Sequence, residues 1–380
     1  MSVPTANSRQ SLRMQIAGRI RRKIALGGLA PGDALPTYRQ LCKEYGVSLM
    51  TVRRAMQVLA DEGIVRGFPG KGTFVAQEAT MLGRKLAQVG LVFYGDRSTL
   101  FTRQYLSEIL RGILGRTDGL RADVRIMSLR RESERVWPAD VVGSGVDGVI
   151  LLGVVNEEYI ADMARQSLPV VVVDYIPEST PLDCVACENR QAAQRVVDHL
   201  VELGHKRIDY VDGRAADPMV GWEQIVETSD IRERREGYEE AMRAHKLVPR
   251  SHVHGGRALG KYGHERWLSS VARSVVAESN RATALVTYDT HTAVLIGGAF
   301  VETGLRVPQD LSVAAVAGCE AESIPPDGKI TYNRMSFLEM GEQAVLLLQR
   351  SLEERTTEAS VARIDGSFVI GGTTAAPPAE

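Results

Sequence analysis

The sequence predicts an α/β protein with an α+β head: an N-terminal winged helix-turn-helix domain, then a two-lobed domain of doubly wound parallel sheets. Three observations carry that prediction. Charge is segregated along the chain, helix-turn-helix spacing fills the first 76 residues, and strand and helix patterns alternate in two series through the rest. Residues 1–76 hold 12 Lys/Arg against 4 Asp/Glu, a net of +8. The whole-chain counts of 46 and 47 leave 34 against 43 for the remainder, so the total of −1 hides a basic head on an acidic body. A clustered basic head suits a phosphate backbone and an acidic body repels one, which assigns DNA binding to the head.

The head reads element by element. Leu12, Ile16, Ile20 and Ile24 recur every four residues and make one apolar stripe, with Arg13, Arg19, Arg21, Arg22 and Lys23 on the other faces and Gly27-Gly28 as the stop. Pro31-Gly32-Asp33 is a turn. Thr37 caps a second helix that buries Leu41, Cys42 and Tyr45 and ends at Gly46. Ser48 caps a third, with Val52, Ala55, Met56 and Leu59 inward and Met50, Arg53, Arg54 and Gln57 outward. Two short helices joined by a Gly-containing turn make a helix-turn-helix pattern. After Gly63, Ile64–Arg66 and Gly72–Val75 read as strands flanking a wing whose glycines allow close backbone approach and whose Lys71 can meet a phosphate. A nucleotide-binding loop is excluded, because Lys71 is followed by Gly72 rather than Ser/Thr.

The run from Pro31 to Ala76 resembles the winged helix of GntR-type bacterial transcription regulators, over about residues 10–76 and with every landmark in order: PG, LP, R-x-L, GVS, TVRRA, L-x-x-EG and G-x-G-T-F-V. Taken alone, Arg39 and Arg53 would be a solvated helix face. At these motif positions the resemblance implies that Arg39, Ser48, Leu49, Met50, Thr51, Arg53, Gly70 and Lys71 face DNA. The family often has Arg where this chain has Leu49, so one base or phosphate contact is expected to be missing.

At 380 residues the chain is too long for one core, and 44% hydrophobic content is that of a globular protein. Residues 77–86 have no strong period and read as a linker. Strand-like apolar runs follow at Val89–Tyr94, Val124–Met127, Gly148–Leu152 and Val170–Asp174, then at Ile208–Val211, Ala284–Thr287 and Ser312–Ala317. Helical stretches such as Ser107–Arg116, Gln191–Leu203 and Ile231–Ala244 separate them, which predicts parallel sheets covered on both faces. Ligands then bind at the carboxyl ends of the strands, in the cleft between two lobes.

The second half carries His199-Leu-Val-Glu-Leu-Gly-His205, Arg234-Arg-Glu-Gly-Tyr238, Tyr288-Asp289, Gly304–Val313 and Met340-Gly-Glu-Gln-Ala344. In that order they resemble the effector domain of LacI/GalR regulators, which is periplasmic-binding-protein-like, over about 87–374. The resemblance implies three crossings between lobes, lobe 1 at about 87–183 and 336–355, and lobe 2 at about 184–335 and 356–374, with a last strand at Ser367–Ile370. A GntR-type head on a LacI-type body resembles the arabinose-responsive repressors of Gram-positive bacteria. Nothing in 77–86 looks like the hinge helix of LacI proteins.

Five residues are candidates for the effector: Tyr94 and Asp96 at the end of the first body strand, Arg234, and Tyr288-Asp289 at the end of another strand. The family commonly has Asn-Asp where Tyr288-Asp289 stands, and its acidic pair after Ser312-Val is replaced by Ala317-Gly318. These changes leave an unusual sugar, another small molecule, or no ligand, because buried hydroxyls need matched partners. Cys184-Val-Ala-Cys187 has no second Cys pair beside it and suits core positions. His252, His254 and His264 lack a carboxylate trio and read as loop histidines, so no metal or cofactor is expected. No G-x-S-x-G, H-E-x-x-H, Walker lysine or G-x-G-x-x-G after a strand is present, and no enzyme activity is expected.

The expected function is a cytoplasmic DNA-binding regulator, a repressor in most of the resembling families, controlled by a sugar or sugar derivative between the lobes. Its expected partners are a double-stranded operator (an inverted repeat), the small-molecule effector and a second copy of the chain, with no membrane. The alternative is a constitutive or partner-controlled regulator with a degenerate pocket. Met1–Gln10 lacks the apolar run of a signal peptide, and no stretch reaches the ~20 apolar residues of a membrane helix.

Overall fold

A computed structural model describes residues 6–25, 29–30, 32–61, 63–68, 70–76, 86–95, 99–129, 136–166, 168–213, 215–216, 225–253, 263–319, 323–324, 328–354 and 358–378. In the head, α1 (Ala6–Ala25), α2 (Tyr38–Tyr45) and α3 (Leu49–Asp61) precede β1 (Val65–Phe68) and β2 (Gly72–Val75). The two strands are antiparallel, with Val65 opposite Val75 and Phe68 opposite Gly72. Thr37 starts α2 with a capping box: its hydroxyl accepts from the Gln40 amide, while the Gln40 side chain accepts from the Thr37 amide at 2.7 Å. Gly46 ends that helix at φ +64°, a left-handed position that favours glycine. Ile16, Ile20, Leu41, Val52, Met56, Leu59, Val65 and Val75 form the head core, so the apolar stripes of the three helices converge on one cluster, except that Leu12, expected in the first stripe, is exposed.

The body continues with β3 (Gln88–Tyr94), α4 (Thr99–Thr102), α5 (Gln104–Leu120), β4 (Asp123–Leu129), α6 (Pro138–Gly143), β5 (Gly148–Leu152), α7 (Glu157–Ala164), β6 (Val170–Val173) and β7 (Asp183–Cys187). Next come α8 (Asn189–Glu202), β8 (Ile208–Val211), the short ladder of β9 (Ala215–Ala216) with β10 (Ile225–Val226), α9 (Ser229–Ala244), β11 (Arg250–His252) and α10 (Gly263–Ala277). The chain ends with β12 (Ala284–Thr287), α11 (Thr290–Glu302), β13 (Ser312–Gly318), the ladder of β14 (Ser323–Ile324) with β15 (Gly328–Lys329), β16 (Thr331–Arg334), α12 (Phe337–Glu354), β17 (Val361–Ile364) and β18 (Ser367–Val369).

Two six-stranded sheets organise the lobes. The first has the order β17-β7-β6-β5-β3-β4 and is parallel throughout. The second has the order β11-β8-β12-β13-β16-β18, parallel except where β18 runs against β16. Parallel strands are covered on both faces, which is why β5 (Gly-Val-Ile-Leu-Leu) and β6 (four valines) are buried at every position. Sheet membership gives three crossings between lobes, at β7 to α8, β16 to α12, and β17 to β18.

Two segments fall elsewhere than expected. Cys184–Cys187 and Val361–Ile364, expected in lobe 2, pair with each other at the edge of the first sheet. Cys184 and Cys187 point to opposite faces of β7, into different apolar clusters, as residues three apart on a strand must. The CxxC spacing therefore records a buried strand. The linker reading of 77–85 lies outside the described residues, while Leu86 is already buried in the body core.

Candidate functional site

On the head, Ser48 caps α3: its hydroxyl lies 3.3 Å from the Thr51 amide and 2.8 Å from the Thr51 hydroxyl. This cap fixes the first turn of the helix, leaving Leu49 45% and Met50 56% exposed beside the exposed Arg53 and Arg54. Thr51 is half-buried, and Arg39 is exposed in the first turn of α2. The wing is the β1–β2 hairpin, closed by the Lys71 amide donating to the Phe68 carbonyl at 3.0 Å. Gly70 (φ +76°) and the exposed Lys71 stand at its tip. Among the described residues, the side chains of Arg39, Arg53, Arg54 and Lys71 have no hydrogen-bond or ion-pair partner, so their charges are open to solvent.

The body's polar centre lies where strand ends of both lobes meet the start of α9. Arg234 is buried and has four neighbours. Its Nε donates to Asn189 Oδ1 at 2.8 Å and its Nη1 to the Tyr288 carbonyl at 3.2 Å; Asp230 is 3.9 Å away. Its guanidinium also lies over the Tyr288 ring, 4.2 Å from the centroid. The Tyr288 hydroxyl donates to Asp230, so ring, cation and carboxylate form a closed set. Gly213, after β8, completes it: a Cβ there would stand 2.4 Å from the Tyr288 ring, so only glycine admits that ring.

Lobe 1 contributes Asp174, just after β6, held in a left-handed backbone conformation at φ +66°. Desolvation, and then the neighbouring Asp230 carboxylate, push its carboxyl up to about 7, against the opposing pull of Arg234. Tyr105 on α5 is raised by burial and by Asp174, with Asp230 and Asp289 adding to the effect, so lobe 1 and lobe 2 carboxylates share one field. Segments of the two lobes are tied beside this centre. The Ile176 amide donates to Ser229 Oγ at 3.0 Å, Arg232 pairs with Glu178, and Arg363 grips Glu233 through two bonds of 2.6 and 2.7 Å.

Of the expected effector residues, Arg234 and Tyr288 are in direct contact. Asp289 is beside them, but its Oδ1 caps α11 by accepting from the Thr292 amide at 2.7 Å. Tyr94 lies half-buried at the end of β3, packed against the apolar cluster of Val92, Leu129 and Val141. Asp96 lies outside the described residues, as does His254. His252 Nε2 is 2.8 Å from Asp209 Oδ2 at a sheet edge, and His264 stacks on Trp267. Among the described residues no three His, Cys, Asp or Glu side chains are grouped to hold a metal ion, and no helix is long and apolar enough to cross a membrane. Sequence reasoning missed Asp174, Asp230 and Asn189. The rule that selected Tyr94, a residue ending a buried parallel strand, selects Asp174 equally well; Asp230 stands four residues before Arg234 on one helix face.

An exposed basic recognition helix with a wing, joined to two parallel-sheet lobes around a polar centre, defines a DNA-binding regulator. Residues 12–75 match the family described as bacterial regulatory proteins, gntR family, and residues 197–374 match the periplasmic binding protein-like domain. The chain is 25% identical over 361 residues to an arabinose metabolism transcriptional repressor of Geobacillus stearothermophilus, covering 91% of this chain and 92% of that one. Its head is 52% identical over 64 residues to the mannosyl-D-glycerate transport/metabolism system repressor MngR of Escherichia coli K12, or 17% of this chain and 27% of that one. A solved LacI family transcriptional regulator from Mycobacterium smegmatis shares the fold, with a TM-score of 0.61 at 21% identity over 77% of this chain and all of that one. The chain thus joins a GntR-type head to a periplasmic-binding-protein-like body, and it is a transcriptional regulator rather than an enzyme.

Proposed function

We propose that the chain is a repressor that binds an inverted-repeat operator as a homodimer in the cytoplasm. Residues 1–76 are its DNA-binding unit, and 87–374 bind the effector and dimerise. Arg39, Ser48, Leu49, Met50, Thr51 and Arg53 enter or flank the major groove, while Gly70 and Lys71 meet the backbone at the wing. A polyhydroxylated small molecule, a sugar or sugar derivative, binds between the lobes and alters operator affinity through its different affinity for two lobe arrangements. The name of the Geobacillus relative, an arabinose metabolism transcriptional repressor similar along both domains, supports that ligand class.

The observation that carries the effector reading is the buried group of Arg234, Asp230, Tyr288 and Asp174, which brings polar side chains of both lobes to one place. Arg234 supplies a fixed fork of donors, and Asp174 presents a carboxyl that can accept or donate near neutral pH. The mutual satisfaction of Arg234, Tyr288 and Asp230 favours one other reading, a regulator whose cleft takes no ligand. Thermal melting of the full chain against monosaccharides, sugar acids, sugar phosphates and nucleosides separates the two. A stabilising compound whose effect disappears in Arg234→Ala and Asp174→Asn supports the sensor. Silence across the panel, from protein that still binds its operator, supports the ligand-free regulator.

A further inference from the structure

The sequence puts Arg21 on a basic face of α1, yet Arg21 is 8% exposed and turned toward the body. Its Nη1 donates to Asp147 Oδ1 at 2.8 Å, in the turn between α6 and β5 of lobe 1, with both side chains about one-tenth exposed. The other oxygen of the same carboxylate accepts from the backbone amides of Ala87 and Gln88, at 2.9 and 2.8 Å. One side chain therefore holds both the first helix of the head and the segment that enters the body. One turn earlier, α1 lies directly on this loop: a Cβ on Gly18 would be 2.8 Å from the Gly145 carbonyl oxygen, and one on Gly145 would be 3.2 Å from the Gln15 Cα. Arg19 adds a bond of 3.3 Å to the Gly143 carbonyl. Beside this contact, an open cavity of about 1040 Å³ lined by Arg13, Gln15, Asp123, Arg125 and Ser144 separates the rest of the helix from β4.

We infer that Gly18, Arg21, Gly145 and Asp147 form a latch that fixes the DNA-binding head on lobe 1, making the two one rigid body that sets the spacing of operator half-sites. The latch rests on the reading of the head as the DNA-binding unit. Physically, a buried Arg–carboxylate pair is directional, and losing one partner strands the other in a poorly hydrated place. A glycine-to-glycine approach of two backbones tolerates no sliding. Two such contacts one helical turn apart resist both rotation and translation of α1. Rotation of lobe 1 then moves the head with it. Arg21 and Asp147 act here as positioning residues, since neither is placed on DNA.

The test uses the full chain and duplexes selected by it from a random library, with half-site spacing then changed by one, two and five base pairs. Half-sites on one face of B-DNA repeat every 10–10.5 base pairs, and a rigid pair of heads loses its avidity off register. The wild-type protein is expected to lose about a hundredfold in affinity at a five-base-pair insertion, the order of the avidity that paired binding supplies. Asp147→Asn and Gly18→Leu are expected to bind all spacings within about threefold of each other, while matching the wild type on a single half-site. Gly18→Leu changes the head side of the contact and leaves Asp147 with its bonds to Ala87 and Gln88, so it reads the latch even if Asp147→Asn lowers body stability. Variants that keep the wild-type spacing profile, or a wild type that tolerates every spacing, would overturn the latch. A wild type that selects no duplex at all would instead remove the DNA-binding reading beneath it.

Discussion

The recognition helix and the cleft both present arginines, and the two treat them oppositely. In the head, the side chains of Arg39, Arg53 and Arg54 stand exposed without partners among the described residues, and Leu49 and Met50 at the start of α3 are exposed as well. In the cleft, Arg234 is buried and fully engaged by Asn189, the Tyr288 carbonyl, the Tyr288 ring and Asp230. A surface that meets a polyanion gains by keeping its charges hydrated until they release counterions. An interior cation must be paired where it sits, because burial without partners costs several kcal/mol. On the proposed reading, free charge belongs to the surface that meets DNA and pre-paired charge to the cleft that discriminates an effector.

The comparison breaks most sharply at Arg234. Replacing it by alanine leaves Asp230 and Asp174 buried together without their cation, and we expect a loss of about 3 kcal/mol in unfolding free energy. Denaturant titration reads this directly; a loss below about 1 kcal/mol would mean that the cleft is more hydrated than its burial implies. On the head the opposite pattern is expected. Arg53→Ala should leave the melting temperature of the protein unchanged, lower operator affinity about thirtyfold and reduce the salt dependence of binding by about one per head. An Arg53→Ala protein with unaltered affinity would place the groove contact elsewhere.

Asp174 gives the cleft a pH signature. Its carboxyl titrates at about 7 in the folded chain, raised by desolvation and by Asp230 above the ordinary value of 3.8. The folded state therefore holds a proton that the unfolded chain has released, so stability falls as pH rises between about 4 and 7. His205 works the other way. Burial among Thr283, Ser312 and the Ala375 carbonyl lowers its pKa, so protonation below about 6.5 favours the unfolded chain. The difference between wild type and Asp174→Asn isolates the carboxyl: the gain in melting temperature from the substitution should grow from pH 5 to pH 7.5. A constant offset would contradict the assignment.

Legibility followed the range of the interactions. The head was readable because caps, stops and apolar stripes are local: Thr37 with Gln40, Gly46, and Val52–Leu59 on one face. In the body, β5, β8 and β12 were readable to the residue as apolar β-branched runs. By contrast β7 was hidden, since Asp-Cys-Val-Ala-Cys carries a spacing that suggests thiol chemistry, and β17 alternates too weakly to declare itself. Arg234 and Tyr288 were legible singly, as a motif arginine and a strand end. Their stacking was not, because 54 residues separate them. The Arg21–Asp147 pair spans 126 residues and no sequence period encodes it.

The smallest effect we expect tests the neutral part of the recognition helix. Leu49 and Met50 stand where hydrogen-bonding side chains would read base edges, and they are 45% and 56% exposed. Neither can bond to a purine, but both can cover the 5-methyl group of thymine, the one apolar feature that the major groove displays. Replacing a thymine by deoxyuridine removes that methyl and leaves every hydrogen bond in place. Burying one methyl is worth about 0.8 kcal/mol, so deoxyuridine at the contacted position should weaken binding about fourfold. In Leu49→Ala or Met50→Ala, whichever side chain makes the contact, the penalty should vanish, since no apolar partner remains. If deoxyuridine at every thymine of the half-site leaves affinity unchanged, these side chains face the groove without reading it, and specificity rests with Arg53 and the wing.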